Sequence, residues 1–335
     1  MFSSLSSQEQ NKDQEQDQEQ DQEHNEKDTS SCQTHTINPA GHLPSIFTPG
    51  EASTHQIGYV DTKKYNAVVK KLRQFFWQKG FLEVHTQSRL SILAACEDPQ
   101  TIATYNYGGM TYPLPQTGQM WLEYELLRNP DAPGYFCMTT SFRNEPNPIP
   151  GRHDKVFGLF EVEMKGDMNN LINLWRELCK FLGYEGNFSE VDYDTIAKKY
   201  GVRELENTEE ERLYEDFGPV VFLKDFPVHT SPFWNMGLYP DRMHARKVDV
   251  ILSGVETFGS AERSSNVEEM RHMFHTISDG QYANTLYSQF GKERVEHELN
   301  DYLSYEMFPR VGGGIGVTRL IRSLEMEGLL DSLMD

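Results

Sequence analysis

Cysteine is scarce in this chain. The four present, Cys32, Cys96, Cys137 and Cys179, are scattered without C-x-x-C spacing, which suggests neither a disulfide framework nor a zinc site. There is no apolar run of membrane-spanning length and no N-terminal apolar segment with a cleavage site, so a soluble, cytoplasmic chain with no membrane partner is expected. Positive charge is short as well: 31 Lys and Arg stand against 51 Asp and Glu, a formal charge of −20. Nucleic-acid binding usually leaves a basic footprint. An acidic surface repels polyphosphate, so tRNA and DNA are both disfavoured as partners, a local basic groove being the one exception left open.

The run "QEQNKDQEQDQEQDQEHNEKD" contains no aliphatic or aromatic residue. It cannot bury enough apolar surface to offset the entropy of ordering, so residues 1–44 are expected to be a disordered acidic Gln/Glu-rich tail. Nine acidic residues against two lysines in the first thirty leave a net −13 on everything after them. Residues 45–335 are enough for one large domain with a substantial core, and no break in composition argues for two.

Asp61 to Gly80 is the clearest helix: Asp61 can cap it, Gly80 can end it, and Tyr65, Val68, Leu72, Phe75 and Phe76 share one face. The segment "FLEVHT" follows at once as a strand. "LAACEDPQTIATYNYGGM" reads as a loop, and "TYPLPQTGQMWLEYELL" as a short strand entering a helix. "GYFCMTTSFRNE" and "KVFGLFEVEMKG" read as an antiparallel hairpin joined by the turn "PNPIPGRHD". "MNNLINLWRELCKFLGY" is an amphipathic helix, and "ARKVDVILSGVETFGSAER" holds two strand candidates around Gly254. "VEEMRHMFHTI" and "HELNDYLSYEMF" are helical, and in "PRVGGGIGVTRLIRSLEMEGLL" a glycine turn enters a helix. Hairpin-joined strands with helices outside predict an α+β domain built on an antiparallel sheet.

Three constellations carry possible chemistry. In the hairpin, Arg143 and Glu145 stand on one face, Arg152 and His153 lie in the turn, and Phe157 comes up on the returning strand. Cations beside an aromatic face suit a nucleotide, with phosphates on the cations and the base against Phe157; a surface salt-bridge ladder is the plain alternative. Asp249 and Glu256 are two carboxylates seven residues apart, and Gly312 to Gly316 precede a helix bearing Arg319. Two carboxylates plus phosphate-binding groups make a candidate Mg²⁺–ATP site. Each signal alone could be ordinary strand-edge charge or a tight turn.

Their order along the chain resembles the catalytic domain of class II aminoacyl-tRNA synthetases, aspartyl/asparaginyl branch, from about Tyr59 to Leu330. The first signature motif resembles "VVKKLRQFFWQKGFLEVHT", with Gln87 where the family has proline. The second resembles "FRNE…GRHDKVFGLFEVEM" and the third "GGGIGVTRL". The resemblance implies a homodimer and an antiparallel sheet flanked by helices. It implies Arg143 on the α-phosphate and substrate carboxylate, Glu145 on the adenine amine, Phe157 on the adenine face, His153 on the γ-phosphate and Arg319 on the far side of ATP, with Arg152 the further phosphate cation of the hairpin turn. Arg143 and Arg319 are thereby the catalytic arginines. Asp249 and Glu256 would carry Mg²⁺, with Glu161 and Glu163 in the same acidic pocket. For the amino acid, Glu97 and Gln119 would receive the α-ammonium. "TGQMWLE" resembles the asparaginyl "SGQ" segment: Leu122 replaces the aspartyl lysine, Glu123 would accept from an amide NH₂, and Arg263 would hold the amide oxygen. "DPQTI" after Glu97 replaces a glycine-rich continuation.

The activity implied is attack of an amino-acid carboxylate on the α-phosphate of ATP. Residues 1–58 do not offer the five strands of the anticodon-reading barrel these synthetases carry, so the expectation is a stand-alone paralogue similar to archaeal-type asparagine synthetase. Three hypotheses follow. The favoured one is a ligase passing activated Asn or Asp to a small or non-tRNA acceptor, ammonia included. The others are an enzyme that charges tRNA without anticodon contacts, and a non-catalytic ATP-binding paralogue.

Overall fold

The computed structural model describes residues 60–334 apart from 88, 93–98, 149–153, 187 and 231. The expected tail lies outside the described residues. No described helix is long and apolar enough to cross a membrane.

The chain opens with α1 (Thr62–Gln78), whose first turn is capped by Asp61 Oδ1 accepting from the backbone N–H of Lys63 and Lys64. It ends at Gly80, whose φ of +79° suits a residue without Cβ. β1 (Leu82–Glu83) follows as a two-residue strand. The stretch expected to be a loop contains β2 (Thr104–Tyr107), paired with β3 (Met110–Pro113). Next come α2 (Gln119–Arg128), the expected hairpin of β4 (Tyr135–Phe142) and β5 (Val156–Lys165), and α3 (Met168–Phe181). Four elements unanticipated from sequence then appear: β6 (Ser189–Asp192), α4 (Tyr193–Tyr200), α5 (Asn207–Phe217) and β7 (Val220–Pro227). β8 (His244–Leu252) and β9 (Val255–Arg263) form the predicted pair about Gly254. α6 (Val267–Thr276), the unanticipated α7 (Gln281–Phe290), α8 (Lys292–Leu303), β10 (Arg310–Gly316), α9 (Val317–Met326) and α10 (Asp331–Met334) complete the chain.

Among the described residues, eight strands form one sheet in the order β1-β4-β5-β10-β9-β8-β7-β6. All neighbours are antiparallel except the outermost pairs, β1 with β4 and β6 with β7, which run parallel. The expected α+β architecture is therefore present, with a mixed sheet at its margins.

Strand alternation sorts the two faces. Phe160 and Val162 on β5, Val248 and Val250 on β8, Phe258 on β9 and Val311 and Ile315 on β10 join one apolar core with Leu72 and Phe76 of α1, Trp175 of α3 and Leu320 of α9. The alternate residues, Glu161, Glu163, Lys247, Asp249, Thr257 and Arg263, point to the opposite face. A second core there joins Met120 and Tyr124 of α2 to Trp234, Phe274, Leu286 and Tyr302.

The glycine segment is not a turn, as expected from sequence, but strand β10 in mid-sheet between β5 and β9. Its glycines are required for space. A Cβ on Gly312 would overlap the Glu163 carboxylate and the Val162 carbonyl, and one on Gly313 would overlap Ser260. Glycine there lets flanking side chains lie across the strand.

Candidate active site

A cavity of about 590 Å³ opens on the polar face of the sheet. Its wall brings together Arg143, Glu145 and Phe157 from the β4–β5 hairpin, Lys247 from β8, Glu256 and Arg263 from β9, Gln119 from α2 and Arg319 from α9, over a floor that includes Gly313, Gly314 and Gly316. Residues separated by almost two hundred positions thus meet because β5, β10, β9 and β8 are consecutive in the sheet.

At one end, Arg143 follows β4 and its N–H continues the ladder to Lys155 C=O at 2.7 Å. Its guanidinium stands 5.6 Å from the centre of the half-buried Phe157 ring. A planar cation and an aromatic face side by side can grip the phosphate and base of one nucleotide. On the same wall, Arg319 is aimed by a hydrogen bond from Nη1 to Glu256 C=O at 2.8 Å.

Near Arg319 lie the expected metal carboxylates. Glu256 is on the cavity wall, whereas Asp249 is buried behind it and is absent from the wall. Asp249 Oδ2 accepts from Lys247 Nζ at 2.5 Å, and Oδ1 is buried with no hydrogen-bond partner. Burial raises the Asp249 carboxyl to about 7 against the opposing pull of Lys247, and the charge of Glu256 adds to the rise. An orphaned carboxylate oxygen next to a second carboxylate fits Mg²⁺, which takes one or two carboxylates and completes its shell with phosphate oxygens and water. Among the described residues no cluster of three or more His, Cys, Asp or Glu is assembled for a metal. Lys247 was missed in the sequence reading. Its signal was the alternation Lys247–Val248–Asp249, which sets both charges on one strand face.

The other end is built on buried charge. Arg263 is 2% exposed, and its Nε and Nη2 approach both oxygens of Glu163 at 3.4 Å. Gln119 Nε2 donates to the same carboxylate. Beneath them, Glu123 is fully buried, so the expectation that it meets a substrate amide is corrected. Its Oε1 accepts from Asn235 Nδ2 at 2.9 Å, and its Oε2 from Arg310 Nε and Nη2 at 3.1 and 3.0 Å and from the Tyr302 hydroxyl. Burial would raise its pKa, but Arg310 and Arg263 outweigh this and hold it below the usual carboxylate range. Glu163 likewise lies under the cavity and not on its wall, and burial pushes it up to about 7, Arg263 opposing and the like charge of Glu123 assisting. Glu161 is on the wall, but its carboxylate accepts from Gly118 N–H and Thr139 Oγ1, both at 2.7 Å, and from the Thr117 hydroxyl. Burial raises it above the ordinary range. It secures the segment that leads into Gln119. Glu97, Arg152 and His153 lie outside the described residues.

Comparison with known proteins agrees with this architecture. The chain is 22% identical over 306 residues to the lysine–tRNA ligase of Methanoculleus marisnigri, covering 77% of this chain and 58% of that one. It is 20% identical over 305 residues to the aspartate–tRNA(Asp/Asn) ligase of Aeropyrum pernix, covering 80% and 65%. Among solved structures, asparaginyl-tRNA synthetase from Pyrococcus horikoshii, complexed with asparaginyl-adenylate, superposes with a TM-score of 0.65 at 20% identity, covering 78% of this chain and 64% of that one. The asparaginyl-tRNA synthetase of Entamoeba histolytica gives 0.65 at 18%, covering 81% and 65%. At these identities the structural likeness establishes the fold, and the chain spans less than two thirds of the length of each of these relatives. The pattern describing tRNA synthetases class II (D, K and N) matches residues 62–328, and the chain belongs to that family of ligases.

Proposed function

We propose that the protein is an adenylate-forming ligase that activates asparagine or aspartate with ATP and hands the acyl group to a small or non-tRNA acceptor. The carrying observation is that one cavity is lined by Arg143, Phe157, Glu256 and Arg319 together with Gln119 and Arg263. A nucleotide held by the first four and an amino acid held by the last two would meet at Arg143. A carboxylate oxygen of the amino acid attacks the α-phosphorus, the acyl–phosphate bond forms and the bond to pyrophosphate breaks. The step needs no protein nucleophile. The chain's part is to align two anions and neutralise charge that builds on the phosphate. Arg143 answers to the α-phosphate and the attacking carboxylate, Phe157 to the base and Arg319 to the far phosphates. Asp249 and Glu256 would hold Mg²⁺, which supplies further charge neutralisation on the phosphates.

Two comparisons support this reading: the Pyrococcus relative was solved with asparaginyl-adenylate, and the Aeropyrum relative is named for aspartate. The choice of acceptor is supported by the chain's acidity, 51 acidic residues against 31 basic, which opposes a polyanionic tRNA. Trapping with hydroxylamine tests both parts. Asparagine or aspartate with Mg²⁺–ATP should yield its hydroxamate, AMP and pyrophosphate in stoichiometric amounts. Ammonia should raise AMP formation more than tRNA does; strong stimulation by tRNA at physiological salt would replace the acceptor part of the proposal with tRNA charging.

A further inference from the structure

The side-chain end of the cavity rests on four buried charges, Glu123, Glu163, Arg263 and Arg310, each at most 2% exposed. Arg263 belongs both to this cluster and to the cavity wall, while the other three lie behind it. With both carboxylates ionised the cluster is neutral, and the guanidinium facing the cavity is already compensated. If one carboxylate takes a proton, the cluster carries one net positive charge in a place of low dielectric, where its reach is long.

The two carboxylates are not equivalent. Glu123 is held ionised by the paired hydrogen bonds of Arg310 and by the Tyr302 hydroxyl. Glu163 has only longer contacts to Arg263, both at 3.4 Å, and accepts a close hydrogen bond from the neutral amide of Gln119. The residues opposite it in the sheet bring no charge: Gly312 on β10 and Tyr135 on β4, a phenol whose pKa is raised by burial. Arg310 and Glu123 act on it electrostatically from β10 and α2, Glu123 raising and Arg310 lowering its pKa.

Resting on the adenylate-forming reading of this cavity, we infer that Glu163 is a positioning residue that determines specificity through Arg263. As a carboxylate it leaves Arg263 suited to a neutral amide, and as a carboxylic acid it frees one positive charge for a carboxylate. Aspartate is then taken up together with one proton, which goes to Glu163, and asparagine is taken up without one. The α-ammonium and α-carboxylate are common to the two amino acids, so any difference in proton uptake belongs to the side-chain end. The position of Glu163 near neutrality, about 7, places the exchange of preference within the ordinary working range of pH.

The test is calorimetric titration of the full-length protein with asparagine and with aspartate, in the presence of a non-hydrolysable ATP analogue and Mg²⁺. Each titration is run at pH 6 and pH 8 in buffers of different ionisation enthalpy. Aspartate should take up close to one proton at pH 8 and much less at pH 6, whereas asparagine should take up none at pH 8 and release up to about one at pH 6, where Glu163 must first lose its proton. The affinity for aspartate relative to asparagine should fall roughly tenfold per pH unit above about 7. In Glu163→Gln, which keeps the shape and cannot titrate, the proton uptake and the pH dependence of the ratio should both vanish. Aspartate binding without proton uptake at pH 8, or a pH-dependent ratio surviving in the variant, would overturn the inference while leaving the adenylation reading intact. Failure of both amino acids to bind would overturn the reading of the cavity and the inference with it.

Discussion

Arg310 anchors the buried cluster beneath Arg263. It is fully buried, and its Nε and Nη2 hold Glu123 at 3.1 and 3.0 Å while Nη1 donates to Ser264 C=O at 3.2 Å. Arg310→Met fills much of the same volume but strands Glu123 with Asn235, Tyr302 and an Arg263 that stands 3.6 Å away. Leaving one partner of a buried pair uncompensated costs about 3–5 kcal/mol. Glu123→Gln removes the stranded charge, so the double variant should be less destabilised than the sum of the two single changes by about 1–3 kcal/mol. Equilibrium urea unfolding of the four proteins at pH 7.5 measures this cycle. A loss below about 1 kcal/mol for Arg310→Met, or strict additivity, would refute the claim that these groups form one compensated unit beneath Arg263.

Two further outcomes follow from the packing of β10 and from the bridge at His244. Gly313→Ala should destabilise by about 1–3 kcal/mol in thermal unfolding and weaken ATP-analogue binding, because the added Cβ would stand 2.7 Å from Ser260 Cα and push β10 away from β9; an unchanged melting temperature would contradict the close packing described. His244 is bridged by Asp194 at 2.9 Å and Asp241 at 3.1 Å, and those hydrogen bonds raise its pKa above 6.5. A raised pKa means that the stabilisation is complete below pH 6.5 and is lost as pH rises through the folded value. His244→Ala should therefore cost more stability at pH 5.5 than at pH 8.5, and equal costs at the two pH values would contradict the bridge.

Much of this was legible in the sequence because it is local. The cap at Asp61, the alternation in "KVFGLFEVEMKG" and the pairing of "ARKVDVIL" with "VETFGSAER" are each fixed by neighbours a few residues apart. The ordered motifs also led to Arg143, Glu145, Phe157, Gln119, Glu256, Arg263 and Arg319, all of which line one cavity. What failed was decided by tertiary contact. The glycines of β10 read as a turn because their reason lies in Glu163 and Ser260 on other strands. Glu123 read as a substrate acceptor because nothing near it in sequence reveals Arg310, 187 residues away, as its partner. Lys247 was missed and Glu163 was placed in the pocket by resemblance alone, because the two-residue period of a strand shows the face a residue shares and not whether it reaches the wall or lies under it.

The central claim is that the cavity makes an aminoacyl-adenylate. Amino-acid-dependent exchange of labelled pyrophosphate into ATP, measured on the full-length protein with asparagine, aspartate and the other amino acids in parallel, tests it directly. The account predicts exchange that requires asparagine or aspartate and falls by at least about 100-fold in Arg143→Ala, the loss typical of removing one charge-stabilising group from a reacting centre. Absence of exchange with every amino acid, or exchange undiminished in Arg143→Ala, would contradict it.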